Sequence, residues 1–250
     1  MTIVAQRVLY CGDTTLDTAA AYLASLLTSW QVDFEYVPSD CRLQADRDPG
    51  AFDLFVLSDY PAEQAESSLQ QRIVDRVSTG ASLLMIGGWE SFHGVGGDWD
   101  GTPIGNALPV EIADKDDRRN CDTPVFIQPL MPDHPVAAGL PWAERPPLIG
   151  GFNQFTAKPH TNTILEAVRT TARRTGDSFE LHPVEKHPLL VANDCGAGKV
   201  AALATDVAPH WIGPMVDWGE SRVMARADGT DGVEVGNLYA QFLRQLIDWL

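Results

Sequence analysis

The first ninety residues alternate short apolar runs with stretches of helical period. Arg7-Val8-Leu9-Tyr10-Cys11 ends at Gly12-Asp13, the pattern of a strand running into a loop. From Asp17 onward Ala20, Leu23, Leu27 and Trp30 recur every three or four residues behind Thr14 and Thr15, which predicts an amphipathic helix. A second strand is expected at Phe34 to Val37. Leu54-Phe55-Val56-Leu57 and Leu83-Leu84-Met85-Ile86 are continuous apolar runs of the kind buried on both faces of a parallel sheet. Between these two, Leu69, Ile73, Val74 and Val77 mark a helix over 64–78 that Gly80 stops.

Strands and helices in this order, with short connections, predict parallel crossovers and a doubly wound, mostly parallel α/β sheet. Ligands of such sheets bind beyond the carboxyl ends of the strands. Three loops are thereby singled out: Gly12 to Thr15, Ser58 to Pro61 and Gly87 to His93. After Gly94 the pattern loosens, and 94–160 reads as an irregular insertion within one domain spanning 1–250. Short strands recur at Val125 to Gln128, Thr163 to Val168 and Leu189 to Ala192. A turn at Gly196 to Lys199 leads into a last core strand, Val200 to Thr205, and 237–250 carries a helical apolar stripe.

Composition narrows the partners more than it names them. A chain of 250 residues that is 44% hydrophobic can bury a core without staples. No run approaches the roughly 20 apolar residues of a membrane-spanning helix, and the opening MTIVAQRVLYCGD lacks the features of a leader, so a cytoplasmic location is expected. The four cysteines are scattered, so reduced thiols are expected. A formal charge of -16 argues against nucleic-acid and membrane partners and leaves a small-molecule ligand, a protein partner or a homo-oligomer open. His93, Asp98 and Asp100, or Asp133 and His134, have no metal-site spacing, and Gly94-Val95-Gly96-Gly97 neither follows a strand nor opens a helix. No metal and no cofactor is therefore expected.

The run from Gly80 through Leu83-Leu84-Met85-Ile86-Gly87-Gly88-Trp89-Glu90-Ser91-Phe92 to His93 resembles the glutamine amidotransferase-like family. So do Gly101-Thr102-Pro103, Leu108-Pro109-Val110, the stretch from Gly198 to Asp206, Ala208-Pro209-His210-Trp211, and the closing Trp249-Leu250. The order of these motifs covers most of the chain. The resemblance implies a flavodoxin-like, Rossmann-like fold of the class I glutamine amidotransferase type, similar also to trehalose-utilisation-like proteins. In class I amidotransferases a strained strand-to-helix turn exposes a nucleophilic cysteine beside amide donors. Here that position falls on Gly87. Ser58-Asp59 stands where the family places oxyanion-hole glycines, and His210 is followed by Trp211 in place of the family's His-Pro-Glu. The resemblance thus implies a family member without glutaminase activity.

Several side chains could still carry chemistry or binding. Glu90, Ser91 and His210 are the catalytic candidates for a divergent hydrolase or isomerase, should they converge. Ser91 equally suits a helix cap, and Glu90 a solvated first turn. Cys11, Asp13, Asp59, Gly87, Gly88, Trp89, His93, Asp206 and Trp211 are the ligand-binding candidates at the strand ends, although Cys11 suits a small core residue as well. A third reading is an assembly role, with exposed apolar loops including Trp211 to Trp218 forming a subunit interface. The tryptophans at 89, 99, 142, 211 and 218 either line a pocket or pack beneath loops.

Overall fold

A computed structural model describes residues 6–250; the first five, part of the segment read for a leader, lie outside the described residues. In chain order the elements are β1 (Arg7–Gly12), α1 (Ala21–Ser29), β2 (Asp33–Val37), β3 (Leu54–Ser58), α2 (Ser67–Ser78), β4 (Ser82–Ile86), α3 (Pro103–Ala107), β5 (Val110–Glu111) and β6 (Arg118–Pro129). There follow β7 (Leu148–Asn153), β8 (Thr156–Ala157), β9 (Asn162–Thr175), β10 (Ser178–Cys195), β11 (Gly198–Leu203), α4 (Pro209–Val216), β12 (Arg222–Ala225), β13 (Val233–Gly236) and α5 (Asn237–Trp249).

The fold is mixed α/β around a nine-stranded sheet of order β2-β1-β3-β4-β11-β10-β9-β6-β7. Its first half, β2 to β11, is parallel. The second half, β11 to β7, is antiparallel, so the sheet is parallel in only half of its pairings. The change of direction has a simple cause: β9, β10 and β11 are joined by tight turns, and only antiparallel neighbours can be. Strands β3 and β4 are buried along their whole length, as their unbroken apolar runs require. Leu54 to Leu57 pair in register with Ser82 to Met85, so all the parallel strands reach the same carboxyl edge.

The segment 94–160, expected to be irregular, supplies β6 and β7 to this sheet. A second difference concerns Trp211 to Trp218, expected on exposed loops. Residues 209–216 form α4, and Trp211 and Trp218 are buried in the core. Pro214 and Gly213 hide that helix from propensity, because proline removes a helical donor and glycine is costly to order. Trp99 and Trp142 are buried as well, whereas Trp89 is 46% exposed. The third difference is length. The strands expected at 163–168 and 189–192 are the inner parts of β9 and β10, which run on together as a hairpin well beyond the sheet.

Candidate functional site at the carboxyl edge

Three aspartates meet where the parallel strands end. Asp13 follows β1, Asp59 follows β3 and Asp206 lies three residues beyond β11. Asp13 and Asp59 sit at φ 52° and 47°. Aspartate tolerates this left-handed region better than most residues, because its short side chain finds local partners. The loops are pressed together here: a β-carbon on Gly12, at φ 120°, would lie 1.6 Å from the Ser58 carbonyl oxygen, so only glycine fits.

The buried Asp13 carboxylate accepts from the Tyr10 hydroxyl and, at 3.0 Å, from the Ser58 hydroxyl. Asp206 Oδ1 accepts from the amides of Val207 at 2.6 Å and Ala208 at 3.0 Å. Asp59 Oδ1 accepts from the Glu90 amide at 2.7 Å. Burial raises the proton affinity of all three, because a charged carboxylate loses hydration that these bonds replace only in part. Asp59 is pushed up to about 6, with the Glu90 and Trp89 amides and Arg118 pulling the other way. Asp206 is pushed up to about 7 by burial and then by the charge of Asp59. Asp13 is raised well above the carboxylate range by burial and then by Asp206 and Asp59. The edge therefore keeps protons to higher pH than ordinary carboxylates do. Glu90 is raised too, by burial, Asp59 and Glu63.

Beside the acids lies the Gly87-Gly88 step. The chain leaves β4 there without turning directly into a helix: no helix follows until α3, sixteen residues on, and residues 87–91 all avoid positive φ, which falls on the buried Phe92 at 53°. A β-carbon on Gly87 would lie 2.2 Å from the Ala204 carbonyl oxygen and 2.7 Å from Asn153 Oδ1. One on Gly88 would lie 2.1 Å from Asp59 Oδ1. The strand end is packed against backbone on one side and a carboxylate on the other.

Asn153, at the end of β7, clamps this step. Its Oδ1 accepts from the Gly88 amide at 2.9 Å, and its Nδ2 donates to the Gly88 carbonyl at 3.1 Å and to Asp117 Oδ1 at 2.8 Å. Asp117 in turn accepts from the amides of His93 at 3.0 Å and Gly94 at 3.1 Å. Neither Asn153 nor Asp117 stands out in the sequence. Both come from the segment read as irregular, and only the docking of β6 and β7 brings them to β4.

The catalytic candidates do not form one constellation. The buried Ser91 hydroxyl donates to the Ile86 carbonyl at 2.5 Å and accepts from the Asp59 amide at 2.9 Å. It ties β4 to the Asp59 loop and caps no helix. His210 Nε2 accepts from the Trp89 indole at 2.6 Å, on the exposed rim. The Arg118 guanidinium lies 4.5 Å from the centre of the Trp89 ring, so cation, indole and imidazole form one wall. Glu90 contributes its main-chain amide to Asp59.

The remaining candidates lie apart from this wall. Cys11 is fully buried within β1, and burial pushes its thiol up to about 12, which makes it a core residue. Trp211 donates from its indole to Asn120 Oδ1 at 2.8 Å and is buried against β7. His93 Nδ1 lies 2.7 Å from Asp100 Oδ1, and its Nε2 lies 3.8 Å from Asp98. Burial pulls this imidazole down, but the bond to Asp100 and the charges of Asp100, Asp98 and Asp117 outweigh it and leave it raised. Among the described residues, no group of three or more His, Cys, Asp or Glu side chains is arranged to hold a metal ion. Among them, too, no helix is long and apolar enough to cross a membrane.

A mixed α/β sheet with its polar cluster at the carboxyl edge of parallel strands defines the general class. The model of the GATase1_like family, described as "Putative glutamine amidotransferase", matches residues 12–226, and the chain belongs to that family. No curated protein matches it in sequence. Among solved structures it is similar to the cytoplasmic protein STM3548 from Salmonella typhimurium, with 21% identity, TM-score 0.73, and 97% of this chain and 98% of the other covered. The cytoplasmic protein STM1381 from Salmonella typhimurium LT2 is similar to the same degree, with 22% identity, TM-score 0.73 and the same coverage. The N-terminal domain of mmIFT52 shares 10% identity at TM-score 0.58, with 97% and 96% covered. At these identities the likeness is one of fold.

Proposed function

We propose that this chain is a member of the amidotransferase-like family that does not hydrolyse glutamine and that binds a small polar ligand at the carboxyl edge of its sheet. The observation that carries the reading is the space at Gly87 and Gly88, where a side chain of any kind would overlap Ala204, Asn153 or Asp59. A thiol nucleophile has no place at that strand end, and Cys11 is held as a neutral core thiol. The order β2-β1-β3-β4-β11 of the parallel half supports a flavodoxin-like reading of that half. A cytoplasmic location is supported by the two Salmonella proteins, each of which is described as cytoplasmic.

The ligand class follows from the groups on offer. The edge presents carboxyl acceptors, with Arg118 as the cation acting on Asp59 and the exposed indole of Trp89 as a face to stack on. Such a site suits a small molecule rich in hydrogen-bond donors, an amine or a polyol. A thermal-shift screen of amines, polyols and glutamine tests this, because a ligand of the folded state raises the melting temperature. The expected result is a shift with a donor-rich compound that Asp59→Asn abolishes, and no ammonia from glutamine. Ammonia release at an enzymatic rate would overturn the reading.

A further inference from the structure

Beyond Thr170 the strands β9 and β10 leave the sheet as a two-stranded arm, and every residue from 171 to 186 is exposed. β6 pairs with β9 only as far as Arg169, and β11 pairs with β10 only from Leu190 onward, so both edges of the arm are open. Because β10 runs antiparallel to β11, the arm projects past the carboxyl end of β11, from the same edge that carries Asp59 and Asp206. A two-stranded ribbon alone in water is marginally stable.

The arm is also amphipathic. Phe179 pairs with Arg174, Leu181 with Ala172, Glu180 with Arg173 and His182 with Thr171. Directly opposed residues share a face and successive residues alternate, so Phe179, Leu181, Ala172 and the rim residue Arg174 lie on one face while Glu180, His182, Arg173 and Thr171 lie on the other. Phe179 is 70% exposed, Leu181 45% and Val184 54%. These side chains are bare in the single chain. The charge of the arm is equally distinctive: residues 171–186 hold three of the 18 Lys/Arg and three of the 34 Asp/Glu, so the arm is neutral in a chain of -16. Arg173 and Arg174 make no ion pair among the described residues.

We propose that the arm is the dimerisation element of this protein, and that its occupant is a second copy of the chain. Each copy offers what the arm lacks, a strongly acidic body to meet Arg173 and Arg174, and association buries Phe179 and Leu181. Area favours a reciprocal exchange. Eight residues at about 3.3 Å each and two strands about 4.8 Å apart make a face of roughly 26 by 10 Å, well short of the ~800 Å² per partner of a stable interface. Two arms, each laid on the body of the other copy about a two-fold axis, double this to roughly 520 Å², and the open strand edges and projecting side chains add the remainder.

Light scattering after size exclusion on the full chain at micromolar concentration tests this. The expected mass is twice 27.3 kDa. Phe179→Glu with Leu181→Glu is expected to raise the dissociation constant at least roughly a hundredfold, as loss of two buried anchors does. The near-ultraviolet circular dichroism of the core should be unchanged, which separates lost association from lost folding. Arg173→Glu with Arg174→Glu, which keeps Phe179 and Leu181, should weaken the dimer and reduce its sensitivity to salt. A monomeric wild type overturns the proposal, whether or not the arm binds vesicles or another protein. So does a dimer indifferent to the Phe179 and Leu181 changes.

Discussion

The carboxamide of Asn153 holds Gly88 from both sides of its peptide unit, accepting from its N–H at 2.9 Å and donating to its C=O at 3.1 Å. The pair is buried, so removing the side chain strands main-chain groups that cost about 1–3 kcal/mol each to leave unpaired. Asn153→Ala is expected to lower unfolding free energy by about 2–4 kcal/mol in urea. Asn153→Asp sets a second carboxylate against Asp117 and should be worse at pH 8 than at pH 5. A loss under half a kilocalorie for Asn153→Ala would mean the clamp is not needed.

Asp59 and Asp206 make stability depend on pH in the unusual direction. Their folded pKa values, about 6 and about 7, exceed the ordinary 3.8, so the folded state binds more protons than the unfolded chain across that interval. Their contribution is complete only below the ordinary 3.8 and is lost progressively as pH rises from there through 6 and 7. For Asp59 alone the difference is about 3 kcal/mol at 1.36 kcal/mol per unit. Urea midpoints should therefore be higher at pH 5 than at pH 8, and Asp59→Asn, which keeps an acceptor for the Glu90 amide, should flatten the slope. A wild type that gains stability from pH 5 to pH 8 contradicts this assignment.

Ser91 is expected to matter for stability and not for chemistry. Ser91→Ala removes a bond to the Ile86 carbonyl and one from the Asp59 amide, and should cost about 1–3 kcal/mol. Compounds that shift the wild-type melting temperature should still shift the variant by a similar amount. Loss of all ligand response in a folded Ser91→Ala protein would restore the hydroxyl to the list of reacting groups.

His210→Ala should leave the fold within about 0.5 kcal/mol of wild type, as exposed changes usually do. Removing the acceptor from the Trp89 indole should alter tryptophan emission and weaken any ligand stacked on that ring. Unchanged affinity in this variant would place the ligand away from the wall.

The parallel half of the sheet was legible because fully buried strands are written as unbroken apolar runs, such as Leu54 to Leu57 and Leu83 to Ile86. Strand ends then pointed to the loops of Asp13 and Asp59, while Asp206 was named at the end of a stretch that resembles the family. The arm was not legible, since Thr171, Arg173, Glu180 and His182 alternate with few apolar partners and nothing buries them in one chain. Asp117 and Asn153 were missed for a different reason. Asn153 reaches Gly88 from 65 positions away and Asp117 reaches Gly94 from 23, and spacing along the chain carries no trace of those contacts. Glu90, Ser91 and His210 are neighbours at the fold's edge but not one group, because Ser91 turns inward while His210 faces the rim.

Gly87 sits against Ala204 and Asn153 so closely that its identity is set by residues over sixty positions away. A side chain at the end of β4 would require the exit of β11 and the amide at the end of β7 to move away. The end of one strand is thus written in the exits of two others, and a substitution at any of the three positions is expected to need changes at the other two.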